Sequence, residues 1–292
     1  MKRFCWFGVG AVLAAVVAAV LLGIGVPRGA AADDEETLRD IVRMYRSPEK
    51  EGAAGKVLAK KIGFSKEVEH VVALEYSVLL RAEGKETPVT DVKTYQFKLG
   101  DEIRVKIEPV KDSYLYILHE GPSGNRVCLL PTKEEKPPFV KGGSSVVLPD
   151  DGYFEFSAPP GDEQLLVVAT EKPVSDLGAL ANVVFNKPDD QLTPDEKEIK
   201  KTISAKVEQR LKSIRDRQKE TTTYRGLLTE ESMRDFAKKV EQSGATEAVV
   251  EEPANKKNGS TFVMMASTRA EARPTLLVMI PLHSIALKIK RP

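Results

Sequence analysis

Hydrophobic residues recur in two rhythms along this chain. Across residues 95–173, short apolar runs alternate with Gly, Pro, Asn and Asp at nearly every break, the pattern of an antiparallel β-sandwich. Ile103, Val105 and Ile107 alternate with Arg104, Lys106 and Glu108, which separates an inner from an outer face. Burying each large side chain contributes about 1.5–3 kcal/mol. A slip of one residue would put three charges in the core, so the register is well fixed. Upstream, Val72, Leu74, Tyr76, Val78 and Leu80 take every second position, with Glu75 and Ser77 between them, and predict a half-buried strand. Residues 114–119 are apolar on both faces and predict a central strand. The chain then turns at 121–125 and returns over 126–130. Strands are expected at 146–148, 153–156 and 165–169, with Asp150-Asp151-Gly152 as the hairpin between the first two.

The second rhythm is helical. After Thr37, Leu38, Ile41, Val42 and Tyr45 share one face, and Ser47-Pro48 ends that short helix. A second piece over 53–62 places Val57, Leu58 and Ile62 on one side, with Gly63 as its C-cap. Thr193-Pro194-Asp195-Glu196 forms a capping box with Pro at the first helical position, and predicts a helix over 196–219. Its apolar seam is Ile199, Ile203, Val207, Leu211 and Ile214, flanked by Lys and Arg. Such a seam suits a helix lying along the sandwich. Contact with another chain, or with an anionic membrane surface, are the alternatives, and the lack of aromatics counts against the membrane. Residues 222–228 could re-enter a sheet. Thr229 caps a helix with Met233, Phe236, Ala237 and Val240 on one face, ended by Gly244. Residues 248–250, 262–266 and 275–282 read as strands, and those after Ser284 as an apolar and basic tail.

The expected fold is therefore mainly β (α+β overall): an antiparallel β-sandwich of immunoglobulin-like or jelly-roll type, with peripheral helices and a long helical insertion. Its parts are 1–32, a signal peptide or signal anchor; 33–65, short helices; 66–175, the sandwich; 176–245, the helical insertion; and 246–292, strands completing the sandwich. The leader rests on Lys2 and Arg3, an uncharged apolar run over 4–26, and Ala30-Ala31-Ala32 before Asp33. The run is also long enough to span a bilayer. The small-residue site followed by Asp33-Asp34-Glu35-Glu36 favours cleavage. Either outcome leaves the bulk of the chain outside the cytoplasm, and a membrane attachment only if the segment is retained.

Composition narrows the function classes. The 292 residues carry 30% charged residues and a formal charge of +1, without the basic surplus that nucleic-acid binding requires. With Cys5 in the leader, Cys128 is alone in the mature chain and reads as a small buried strand residue. His70, His119 and His283 belong to no H-x-x-x-H or H-E-x-x-H pattern, although the fold could bring His119 and His283 together. Asp150-Asp151 suits a hairpin better than a calcium loop. Gly121-Pro122-Ser123-Gly124 is not a nucleophile elbow, and Gly142-Gly143-Ser144-Ser145 is too short for a phosphate cradle. Asp162-Glu163 reads as a solvated turn, and Tyr114 and Tyr116 as core or semi-buried packing. No catalytic, cofactor-binding or metal-binding residue is assigned.

One further pattern carries a family resemblance. Phe97-Lys98-Leu99-Gly100-Asp101-Glu102, Tyr114-Leu115-Tyr116, Leu130-Pro131, Gly142-Gly143, Pro149, Phe154-Glu155-Phe156, Pro160-Gly161-Asp162-Glu163 and Thr170-Glu171-Lys172-Pro173 follow in this order. The series resembles a bacterial domain of unknown function, number 4384, over about 71–173, with a closing strand at 276–283. The resemblance implies a β-sandwich in exported bacterial proteins, sometimes joined to kinase or peptidase domains. It implies no established activity and no catalytic residues, and the helical insertion departs from the simplest pattern.

The functional expectation is a non-catalytic, exported module that binds or scaffolds another protein of the cell envelope. Contacts are expected from the loop 132–139 and the exposed face of the helix 196–219. The alternative is an extracytoplasmic hydrolase with a site assembled from non-adjacent strands.

Overall fold

The computed structural model describes residues 37–132, 138–254 and 259–290. The leader expected at 1–32 and residues 133–137 of the candidate loop lie outside them. Twelve strands are hydrogen-bonded into a sheet folded over itself. One layer contains β3 (Glu102–Pro109), β1 (His70–Ala82), β11 (Thr261–Ser267), β10 (Glu247–Glu252) and β9 (Thr222–Arg225), in that order. The other contains β5 (Arg126–Leu130), β4 (Ser113–Glu120), β8 (Tyr153–Thr170) and β12 (Thr275–Lys290). Three short strands extend these layers: β2 (Lys85–Pro88) on β1, β6 (Phe139–Val140) on β4, and β7 (Val146–Leu148) on β3.

Period-two alternation assigns each strand residue to a core. Val72, Leu74, Tyr76 and Val78 of β1, with Ile103, Val105 and Ile107 of β3, meet Leu115, Ile117, Leu165, Val167 and Ile280 of the opposite layer. This is the inter-sheet core that the alternation predicts. The helices do more than decorate it. Helices α1 (Leu38–Met44) and α2 (Pro48–Ile62) pack with α6 (Glu230–Ser243) on the outer face of the first layer, against Val71, Ala73, Val250, Met264 and Ala266. On the outer face of the second layer, Tyr116, Leu118, Leu166 and Val168 are sealed by α5 (Pro194–Glu220) and by α3 (Ser175–Gly178) and α4 (Val183–Asn186). The order of layers is helix, sheet, sheet, helix, and three cores separate them.

This arrangement explains the continuous apolar run of β11. Residues 262–266 are all buried because an inter-sheet core lies on one side and a helix layer on the other. Arg39 locks α1 onto that layer. Its Nε donates to Glu252 Oε2 at 2.6 Å, and its guanidinium lies 5.2 Å from the centre of the Phe262 ring. The burial costs little because the cation is paired.

Several expectations require correction. Asp150-Asp151-Gly152 is not a hairpin: β7 and β8 both pair with β3, Leu148 opposite Val105 and Phe154 opposite Ile103, so the segment is an excursion between two successive partners of one strand. Asp162-Glu163 is not a solvated turn, because β8 runs unbroken from Tyr153 to Thr170 and Glu163 is buried. The residues after Ser284 do not form a tail; β12 continues to Lys290, its last residues opposite 153–156 of β8. Within the stretch 222–228, expected to re-enter a sheet, residues 222–225 do so. β9 lies parallel to β10 and reaches it through α6, the crossover that parallel neighbours require. Val57 and Ile199, placed on buried helix faces by spacing, are 40% and 44% exposed.

Candidate functional site

Helix α5 borders several of the open clefts, while another, about 650 Å³, lies away from it among Leu80, Val89, Thr94 and Tyr95. The start of α5 has both halves of the capping box: Thr193 Oγ1 accepts from the Glu196 N–H at 3.3 Å, and Glu196 Oε2 accepts from the Thr193 N–H at 2.8 Å. Lys187 adds an ion pair to Glu196 at 3.0 Å. The Thr193 N–H, followed by Lys187, holds the Glu196 carboxyl below its ordinary range. Ile203, Val207, Leu211 and Ile214 face the sheet; Lys197, Lys201, Lys206, Lys212 and Lys219 are exposed, and Lys200, Arg210 and Arg215 are half-buried on the flanks.

Among the described residues, three clefts border this helix. The first, about 850 Å³, lies between Arg210 and Arg217 of α5, the segment 170–175 and the loop 270–275. The second, about 940 Å³, lies between Lys197, Lys200 and Lys201 of α5, Asn186 and Lys187 at the end of α4, and Arg126 of β5. The third, about 630 Å³, lies beside the last two turns of α5, among Arg215, Lys219, β9 and the edge of β12. Many of these cations have partners. Arg210 pairs with Asp176, Arg217 with Glu247, Arg126 with Glu120 and Glu208, and Lys200 with Asp189. Lys200 holds the Asp189 carboxyl below its ordinary range.

The three histidines are not brought together. His119 Nε2 lies 2.6 Å from Glu163 Oε2, on the face of β4 and β8 that also carries Ile117 and Leu165. His283 stands opposite Asp162 in the β12–β8 register, with Nδ1 and Oδ1 3.3 Å apart. Consecutive residues 162 and 163 point to opposite faces, so the two pairs are on opposite sides of the sheet. The histidine that lines one of these three clefts is His70, at the start of β1. Its Nδ1 is 2.8 Å from Glu171 Oε2 and its Nε2 is 2.9 Å from the Ala270 carbonyl oxygen. Nothing in the sequence spacing signals this pair, because 101 residues separate its members.

The remaining candidates have structural duties. Cys128 is buried, and burial pushes its thiol up to about 12. Asn186 accepts from the Cys128 N–H at 2.8 Å and donates to the Cys128 carbonyl at 2.7 Å. Tyr116 is fully buried, its hydroxyl accepting from the Val174 N–H at 2.9 Å, whereas Tyr114 meets Phe139 edge-on. In the segment 142–145, the Gly142 N–H donates to Asp112 and the Gly143 N–H to the Pro109 carbonyl, so neither is offered to a phosphate. Among the described residues, no group of three His, Cys, Asp or Glu could hold a metal ion, and no helix is long and apolar enough to cross a membrane.

No curated protein and no solved structure matches the chain. Residues 96–173, which form β3 to β8 and lead into α3, match the family model described as Domain of unknown function (DUF4384), and over that stretch the chain is similar to that domain.

Proposed function

We propose that this chain is an exported, non-catalytic binding module of the bacterial cell envelope whose contact element is the exposed side of α5. The observation that carries the reading is the placement of α5: one helix, held by a buried apolar seam, borders three clefts rich in Lys and Arg. A rigid helix suits recognition, because its backbone is already ordered before binding. The long apolar run over 4–26 before Ala30-Ala31-Ala32 supports export.

Removing α5 is a poor test, since it would uncover Tyr116, Leu118, Leu166 and Val168. Charge reversal on its exposed side, Lys201→Glu with Lys212→Glu, leaves the seam intact. Mature wild-type chain should retain specific proteins from envelope extract, and the double variant should lose them. An identical set of retained proteins on both would refute the assignment.

The hydrolase alternative has one observation in its favour, the His70–Glu171 pair in the first cleft. Both ring nitrogens of His70 already face protein acceptors, so neither is free to take a proton from a substrate. Hydrolysis of model esters or peptides by the wild type, abolished in His70→Gln, would restore that reading.

A further inference from the structure

We propose that the outer edge of β9, with the cationic cleft beside it, is a strand-addition site for an extended acidic peptide segment of a partner protein. The inference rests on the binding-module reading and names the partner chemistry at one of its clefts.

The sheet edges are treated unequally. At β5, Asn186 occupies both the N–H and the carbonyl of Cys128 and so stands in for a neighbouring strand. At β12, Gln218 Nε2 donates to the Leu277 carbonyl at 3.2 Å. Pro281, four residues on and in the same phase of the edge, has no N–H to offer. β9 has neither device. Among the described residues it pairs with β10 alone, and the Gly226 N–H donates to the Glu251 carbonyl. That bond sets the phase: Thr223 and Arg225 present their backbone N–H and carbonyl groups away from the sheet. Among the described residues no strand or side chain pairs with them. An edge of this kind is a ready template for another strand.

The cleft next to this edge selects by charge. Arg215, Lys219, Arg225 and Lys239 line it, and among the described residues no acidic one does. Arg225 is paired with Glu251 at 3.2 Å and Lys219 with Asp216 at 3.6 Å. Lys239 has no ion pair among the described residues, and the buried Arg215 Nε has no hydrogen-bond partner. Leu277 and Met279 form an apolar floor, Met279 being 42% exposed. A strand added to β9 sends every second side chain towards this cleft, so carboxylates at those positions meet the cations while the apolar side chains between them turn to the other face. A second copy of this chain would bring the same cations against one another, which disfavours edge-to-edge self-pairing.

The test is fluorescence anisotropy with a labelled octapeptide of alternating Glu and Val, against one of alternating Lys and Val. Two variants separate the contributions. Thr223→Pro removes an outward N–H without touching the β10 ladder, and Arg225→Glu with Lys239→Glu reverses the charge. The expected result is saturable binding of the Glu–Val peptide, at least tenfold weaker in each folded variant and weakened by salt, with no binding of the Lys–Val peptide. Should Thr223→Pro fail to fold, the charge-reversal variant decides. Absence of binding by the wild type, or equal binding by the variants, overturns the site. So does a wild-type dimer that Thr223→Pro abolishes, because the edge then belongs to a second copy. If envelope proteins leave the Lys201→Glu, Lys212→Glu variant yet stay on these two, the binding-module reading survives and this site does not.

Discussion

Gly63, the C-cap of α2, passes so close to Ala237 of α6 that a Cβ at position 63 would lie well inside contact distance of the Ala237 carbonyl oxygen. Two constraints coincide there, since the Gly63 φ of 91° is also in the left-handed region. Gly84 has a similar φ of 77° with open space around it. Gly84→Ala should therefore cost only the backbone strain, about 1–2 kcal/mol. Gly63→Ala should cost roughly 3 kcal/mol or more, because packed backbone must also shift. Urea denaturation of both variants measures the difference, and equal midpoints would show that α2 and α6 do not meet so tightly.

The seam of α5 makes a second contrast. Leu211 is 1% exposed and packs on the outer face of the second layer, whereas Ile199 is 44% exposed at the start of the helix. Leu211→Ala should destabilise the chain by about 2–5 kcal/mol. Ile199→Ala should stay within about 0.5 kcal/mol. If Ile199→Ala were the costly one, the seam would have to be packed against another chain.

The reason the sequence placed Ile199 in the seam is instructive. Spacing reports which residues share a helix face, but not how far the neighbouring sheet extends beneath it. The same blindness placed Val57 inside and hid the helix layers: Val71 and Ala73 are apolar on the supposedly wet side of β1 because α1, α2 and α6 cover them. The inter-sheet core was legible from alternation alone, since charges such as Arg104 and Lys106 admit one register. Strand continuity was not. Pro160-Gly161 in the middle of β8 looks like a turn, and what carries the strand through it is pairing with β12, more than 100 residues away. The His70–Glu171 pair and the open edge of β9 are also products of long-range pairing.

Cys128 offers a direct probe of the second helix layer. Its thiol is enclosed among α4, α5 and β5, and burial raises it to about 12. The thiolate that reacts with disulfide reagents is thus scarce at neutral pH, and the sulfur is inaccessible. The mature folded chain should leave Cys128 unmodified by a chromogenic disulfide over hours, and react fully in denaturant. Rapid labelling under native conditions would mean that α4 and α5 do not seal this face. Asn186→Ala, which frees the β5 edge at Cys128, should accelerate the labelling.

The capping box at the start of α5 has a defined pH signature. Glu196 is held below its ordinary value of 4.5, first by the Thr193 N–H and then by Lys187, so its ionised form is favoured in the folded chain. A depressed carboxyl contributes stability that is present above its unfolded value and is lost as the pH falls through the folded one. Asp195 and Glu196 are both in the first turn, where the helix dipole favours negative charge and adds the same sign of dependence. Glu196→Gln keeps an acceptor for the Thr193 N–H but removes the charge. The wild type should therefore be the more stable of the two at pH 7. The gap should narrow as the pH falls below 4.5 and close once the folded-state carboxyl is protonated. Urea midpoints of both proteins across pH 7 to 3 measure this, with hydrogen exchange at the first turn of α5 locating the change. A gap that persisted undiminished at pH 3 would show that Glu196 acts through its shape and not through its charge.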